Sequence, residues 1–94
     1  MNDDRLKRSR DIIGEVDREM ARLFVRRMDA VRDIAEYKRE RGLPILDADR
    51  EREVIERNLA HIESEDLRDY YVRFIQSVMD ISKQYQRRLT EDAR

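Results

Sequence analysis

Ninety-four residues make one domain at the small end of the range, with little capacity to bury a core of its own. Charged residues are 46% and hydrophobic ones 39%, with two Gly, one Pro and 6% aromatics, the profile of long helices rather than of sheets. The 21 basic and 22 acidic residues leave a formal net charge of −1 and are interspersed, which argues against the one-sided basic surface that nucleic-acid binding needs. The lack of cysteine rules out disulfides and thiol chemistry. The start MNDDRLKRSR has no apolar stretch resembling a signal peptide and no later run approaches a membrane span, so the default expectation is a cytoplasmic protein.

The first predicted element is a helix over about residues 4–41, starting near an Asn2 or Asp3 cap and stopping at Gly42. Ile13, Val16, Met20, Leu23, Val31 and Ile34 recur at steps of three and four along one face. Arg27 lies within roughly 40° of all of them, and Lys38 is only about 20° from Arg27. A cation in an apolar seam costs several kcal/mol unless an anion receives it. That anion is a protein carboxylate or a ligand; an internal salt bridge and snorkelling side chains are the structural alternatives. Such a helix of about 38 residues is about 57 Å long, whereas a compact domain of this size is only about 32 Å across. The overhang needs cover, and a second copy related by a two-fold axis supplies it most simply. Gly14, inside the helix, should cost about 1 kcal/mol relative to Ala. A close approach by another helix or a ligand would explain it, as would simple tolerance.

In RGLPILDAD, residues 41–49, Gly42 suits the left-handed position past a helix end and Pro44 keeps the helix from resuming. Asp47 or Asp49 then caps a second helix, about residues 48–62, with Glu51 near its positive end. Val54, Ile55, Leu59 and Ile62 form its buried side, and one turn back they bring Arg50 and Glu51 inward. A third helix, about residues 66–89, starts after Ser64 and carries Leu67, Tyr71, Phe74, Ile75, Val78, Ile81, Tyr85 and Leu89 on its apolar face. Ser82 and Gln86 point inward beside Ile75, Gln84 faces water, and the tail RRLTEDAR frays. The expectation is a single all-α domain over residues 1–94, one long helix and two shorter ones, in an intertwined antiparallel homodimer.

The inward-facing polar residues are therefore Arg27, Lys38, Arg50, Glu51, Ser82 and Gln86. Arg27 and Lys38 are about 16 Å apart along the helix and could hold opposite ends of one small anion. Arg10 stands about 25 Å from Arg27 and about 100° around, so in a shared site it must come from the other subunit. The only histidine, His61, falls where the second helix fades, and a surface role is expected of it. No Cys or Ser pairs with a histidine base, no metal-ligand spacing appears, and no glycine-rich phosphate loop is present. No cofactor or metal is expected. A catalyst built from this set works by positioning and electrostatics.

The run RDIIGEVDREMARLFVRRM through AEYK to DADRERE, followed by SVMDISKQYQ, resembles the all-helical class of chorismate mutases over roughly residues 6–89. Five polar clusters in the right order, with turn and capping signals between them, make the combination fairly specific. The resemblance implies a two-fold dimer of three-helix chains with two equivalent sites, each receiving one arginine from the partner's long helix. It implies rearrangement of chorismate to prephenate, at the branch point towards phenylalanine and tyrosine, with no requirement for acid pH. Carried over by motif, Arg10 of the partner subunit and Arg27 grip the substrate's two carboxylates, and Lys38 and Gln86 hydrogen-bond the ether oxygen. The Asp47 backbone and Glu51 meet the ring hydroxyl, and Arg50 and Ser82 complete the polar contacts. Isochorismate pyruvate lyases share this scaffold, but the loop LPILDADRERE looks more mutase-like. A non-catalytic helical dimer whose buried charges specify pairing is the reading from a different class.

Overall fold

The computed structural model describes residues 3–92 and consists there of three α-helices, α1 (Asp3–Arg41), α2 (Ala48–Leu59) and α3 (Glu65–Asp92), with no strand among the described residues. Asn2, one of the two expected caps of α1, lies outside them. The chain divides into two compact units, residues 1–30 and 31–94. No helix among the described residues is long and apolar enough to cross a membrane.

In the first unit, α1 opens with Asp3 and Asp4 in its first turn, where carboxylates meet the positive end of the helix dipole. The stripe expected to face a core is open: Ile13, Val16, Met20 and Leu23 are 46–57% exposed. Beside it, Arg22 pairs with Glu19 one turn away at 2.6 Å. A Cβ added to Gly14 would come no closer than 3.6 Å to Arg18 Nη1, an ordinary contact, so nothing among the described residues requires glycine there.

In the second unit the buried residues are Val31 and Ala35 on α1, and Ile75, Met79, Ser82 and Gln86 on α3. Ile34, placed inward by the sequence reading, is exposed. The line through Val31 and Ala35 leans away from it, leaving Ile34 about 100° from Ala35. The end of α1 is closed by a Schellman turn: Gly42 at φ 64° lets Leu43 N–H donate to the Lys38 carbonyl at 2.9 Å and Gly42 N–H to that of Arg39 at 3.3 Å. Pro44 follows, so the helix stops where Gly42 and Pro44 predicted.

Asp47 caps α2, its side chain accepting from Arg50 N at 3.0 Å, and α2 packs on α3. Half-buried on α2 are Glu51, Val54, Ile55, Asn58 and Leu59, which form one line, and Glu53. Arg50 is exposed rather than inward. It is one turn from Val54, but about 100° from Glu51 and beyond the edge of that line. The helix ends at Leu59, three residues before the expected limit, in a turn where His61 N–H donates to the Asn58 carbonyl and Ile62 N–H to that of Leu59, both at 3.0 Å; Arg68 reaches back from α3 and donates to the carbonyls of Leu59 (2.8 Å) and Ile62 (2.9 Å), a cation at a helix C-terminus.

On α3 the buried steps of four, three and four, Ile75, Met79, Ser82 and Gln86, run roughly 70° around from the face that apolar residues alone indicated. Leu67, Phe74 and Ile81 are accordingly exposed, and Met79 takes a core position the apolar count omitted. The tail does not fray at Arg87: the helix continues to Asp92, with Thr90 Oγ1 donating to the Gln86 carbonyl at 2.9 Å and Arg88 pairing with Asp92 at 3.6 Å. Arg32 on α1 donates twice to the Tyr85 hydroxyl on α3, at 3.1 and 2.8 Å, linking those two helices within the unit.

Candidate active site

Lys38 is held at both ends. Its carbonyl belongs to the Schellman turn, and its half-buried side chain curls under the loop so that Nζ donates to the Ile45 carbonyl at 2.9 Å. A chain that could not leave the helix sharply at Gly42 would not bring Ile45 over Lys38. Two open clefts share Lys38 as a wall. One, about 560 Å³, is bounded by Ala35, Leu43, Ile45 and Thr90, and the other, about 370 Å³, by Leu43, Leu46, Asp47 and Asp49. Both are in the size range of small-molecule sites.

Asp47 sits in the second cleft with its side chain committed to the α2 cap. Arg50, at the exposed edge, donates to Glu53 at 3.3 Å. Glu51 faces α3 instead. Its carboxylate takes Lys83 Nζ at 3.0 Å on Oε2 and 3.4 Å on Oε1, and Gln76 Nε2 at 3.3 Å on Oε1. Asp80 joins the group through Gln76 Nε2 at 3.0 Å and Lys83 at 3.3 Å. The hydrogen bond with Glu51 holds the Lys83 ammonium above its usual pKa, and the Gln76 hydrogen bond, seconded by Lys83, holds Asp80 below its own.

Ser82 and Gln86 are buried, with relative exposures of 5% and 7%. Ser82 Oγ donates to the Val78 carbonyl at 2.8 Å. Gln86 Oε1 is a buried oxygen with no hydrogen-bond partner. Leaving such a group unmet costs about 1–3 kcal/mol, and a neutral amide can turn end for end to offer either Nε2 or Oε1. One helical turn on, Thr90 borders the larger Lys38 cleft.

Lys38, Asp47, Glu51, Ser82 and Gln86 thus belong to the second unit, half-buried or buried except for the capping Asp47. Arg10 and Arg27 belong to the first, where Arg10 is exposed and Arg27 half-buried. His61 is exposed, as its position at the end of α2 suggested. The sequence reading missed Lys83, Gln76 and Arg68. Lys83 is about 100° from its neighbour Ser82 and falls off the apolar line; the signal that could have found it is the need of an inward Glu51 for a cation. Among the described residues no group of three His, Cys, Asp or Glu side chains could hold a metal ion.

The chain has no significant match among curated proteins or among solved structures. It does match the family model described as chorismate mutase type II, over residues 9–87. That span begins just before Arg10 and ends just after Gln86, and the chain it covers is helical throughout its three elements; the chain belongs to the type II chorismate mutase family.

Proposed function

We propose that this protein converts chorismate to prephenate, on a site completed by two copies of the chain. The observation that carries the reading is the family match across residues 9–87, which includes every polar residue of the candidate set. The rearrangement is concerted and unimolecular: the ether carbon–oxygen bond breaks as a carbon–carbon bond forms. The protein must select the compact conformer in which the bond-forming carbons meet. Arg27 and Arg10 of the partner subunit do so by gripping the two carboxylates, for which the planar guanidinium fork is suited.

Negative charge develops on the ether oxygen as the bond to it breaks. Lys38 and Gln86 donate to that oxygen, and they stabilise the transition state more than the ground state. The buried Gln86 amide, whose Oε1 lacks a hydrogen-bond partner among the described residues, and the Lys38 ammonium beside two clefts support these roles. Glu51 and the Asp47 backbone accept from and orient the ring hydroxyl. Ser82 completes the polar contacts. Arg50 joins them by leaving Glu53, a surface pair worth at most about 1 kcal/mol.

The partner copy is proposed to lie along α1, antiparallel and intertwined. Ile13, Val16, Met20 and Leu23 form a half-exposed apolar stripe there, more than a small soluble chain leaves open without a partner. Two measurements test the reading. The purified protein is incubated with chorismate and, separately, isochorismate, following prephenate, salicylate and pyruvate, and its mass in solution is measured. Prephenate from chorismate and a dimer are expected. Salicylate with pyruvate as the main products, or no product at all, overturns the activity, and an active monomer overturns the shared site.

A further inference from the structure

We propose that Lys83 is a positioning residue for Glu51, clamping its carboxylate from α3 so that one acceptor position stays aimed at the substrate's hydroxyl. This inference rests on the reading of Glu51 given above. Glu51 stands in the first turn of α2, a place where a glutamate ordinarily extends into water with several rotamers open to it. Here it does not: the Glu51 and Lys83 side chains are only 19% and 17% exposed, and Nζ bridges both carboxylate oxygens at 3.0 and 3.4 Å. Gln76 adds a third donor at 3.3 Å on Oε1.

A carboxylate has about four lone-pair sites, two on each oxygen. Oε1 accepts from Gln76 and Lys83 and is filled; Oε2 accepts from Lys83 alone and retains one site. A hydroxyl donor fits that vacancy. The same geometry argues that Lys83 is not a further cation for a dianionic substrate. Asp80 Oδ1 also approaches its Nζ, at 3.3 Å, so two carboxylates already share its charge, and that arrangement holds its proton. The clamp also spans the α2–α3 packing, which fixes the first turn of α2 and with it the backbone next to Asp47.

The test is a double-mutant cycle on the full chain with chorismate as substrate: wild type, Glu51→Gln, Lys83→Met and the pair, with Lys83→Arg as the conservative variant. A contact made equally in ground and transition states affects KM rather than kcat, so Lys83→Met is expected to raise KM on the order of tenfold with kcat within about threefold. Glu51→Gln should do the same, the double variant should match Glu51→Gln alone because Lys83 acts through Glu51, and Lys83→Arg should stay near wild type. Additive losses, a fall in kcat at unchanged KM, or a Lys83→Met indistinguishable from wild type overturns the inference while leaving an active wild type as a mutase. A wild type inactive on chorismate overturns the functional reading, and the inference with it. Should Lys83→Met fail to fold, Lys83→Gln, which keeps reach without charge, carries the same expectation.

Discussion

The two units of this chain solve opposite problems with the same composition. Residues 31–94 bury a short line of small and medium side chains, Val31, Ala35, Ile75 and Met79, and continue it with two polar ones, Ser82 and Gln86. None of residues 3–30 is fully buried: their stripe of Ile13, Val16, Met20 and Leu23 stays open, and Arg22 pairs with Glu19 one turn away. One unit spends its apolar periodicity inside the chain; the other presents it outward. A regular hydrophobic stripe therefore marks a face of the helix, without saying whether the chain itself covers it.

Charging the open stripe should have the largest effect. Met20→Glu with Leu23→Glu keeps good helix formers but removes two apolar side chains from each copy. At roughly 1.5–3 kcal/mol apiece the association should weaken more than about a thousandfold, giving a monomer without mutase activity by sedimentation and assay. Retention of both dimer and activity would erase the contrast between the units. Next is Lys38→Ala in the closed unit, expected to lower kcat about a hundred- to a thousandfold with the dimer and its cooperative unfolding intact. Near-normal turnover would remove Lys38 from the chemistry.

Two glycines sharpen the comparison. Gly42→Ala forces a side chain into the left-handed region (φ 64°) and should cost about 1–2 kcal/mol in denaturant unfolding. Gly14→Ala, whose Cβ would meet only an ordinary contact with Arg18 Nη1 at 3.6 Å, should instead stabilise by about 0.5–1 kcal/mol. A loss at Gly14 would place a second copy directly against it.

The smallest effect is on pH dependence. Lys83 is raised above its ordinary 10.5, so its contribution is complete below that value and is lost as pH rises through the raised one. Asp80 is lowered below 3.8, so its contribution is present above that value and is lost as pH falls through the lowered one. Neither group should slope the melting temperature between about pH 5 and 9, and Lys83→Met should flatten the alkaline decline. An unchanged alkaline limb in that variant would show that the clamp adds no stability.

Local signals in the sequence located most of the helical frame. Gly42 and Pro44 marked the end of α1, and Asp47 or Asp49 the start of α2, of which Asp47 makes the cap, because caps are decided by the few residues that make them. Ser82 and Gln86 were legible as inward polar positions from their spacing to Ile75. Their neighbours were less so. Apolar counting put the inner face of α3 on Leu67, Phe74 and Ile81, since it could not know that the true line includes two polar residues. Arg50 was drawn inward by its spacing from Val54 alone, and the last carbonyl of α2 is met by Arg68, nine residues beyond Leu59.

By itself, then, the sequence determined an all-helical chain and its turns, which follow from periodicity and neighbouring residues, and the order of its polar clusters, whose resemblance to a known family pointed to the one it matches. Only the tertiary structure decided which of two plausible faces of α3 is buried, that Arg50 stands outside while Glu51 turns in, and that Lys83 meets Glu51 from 32 positions away. Burial and pairing are settled by what lies opposite a side chain in space, and helical spacing carries no information about the opposite wall.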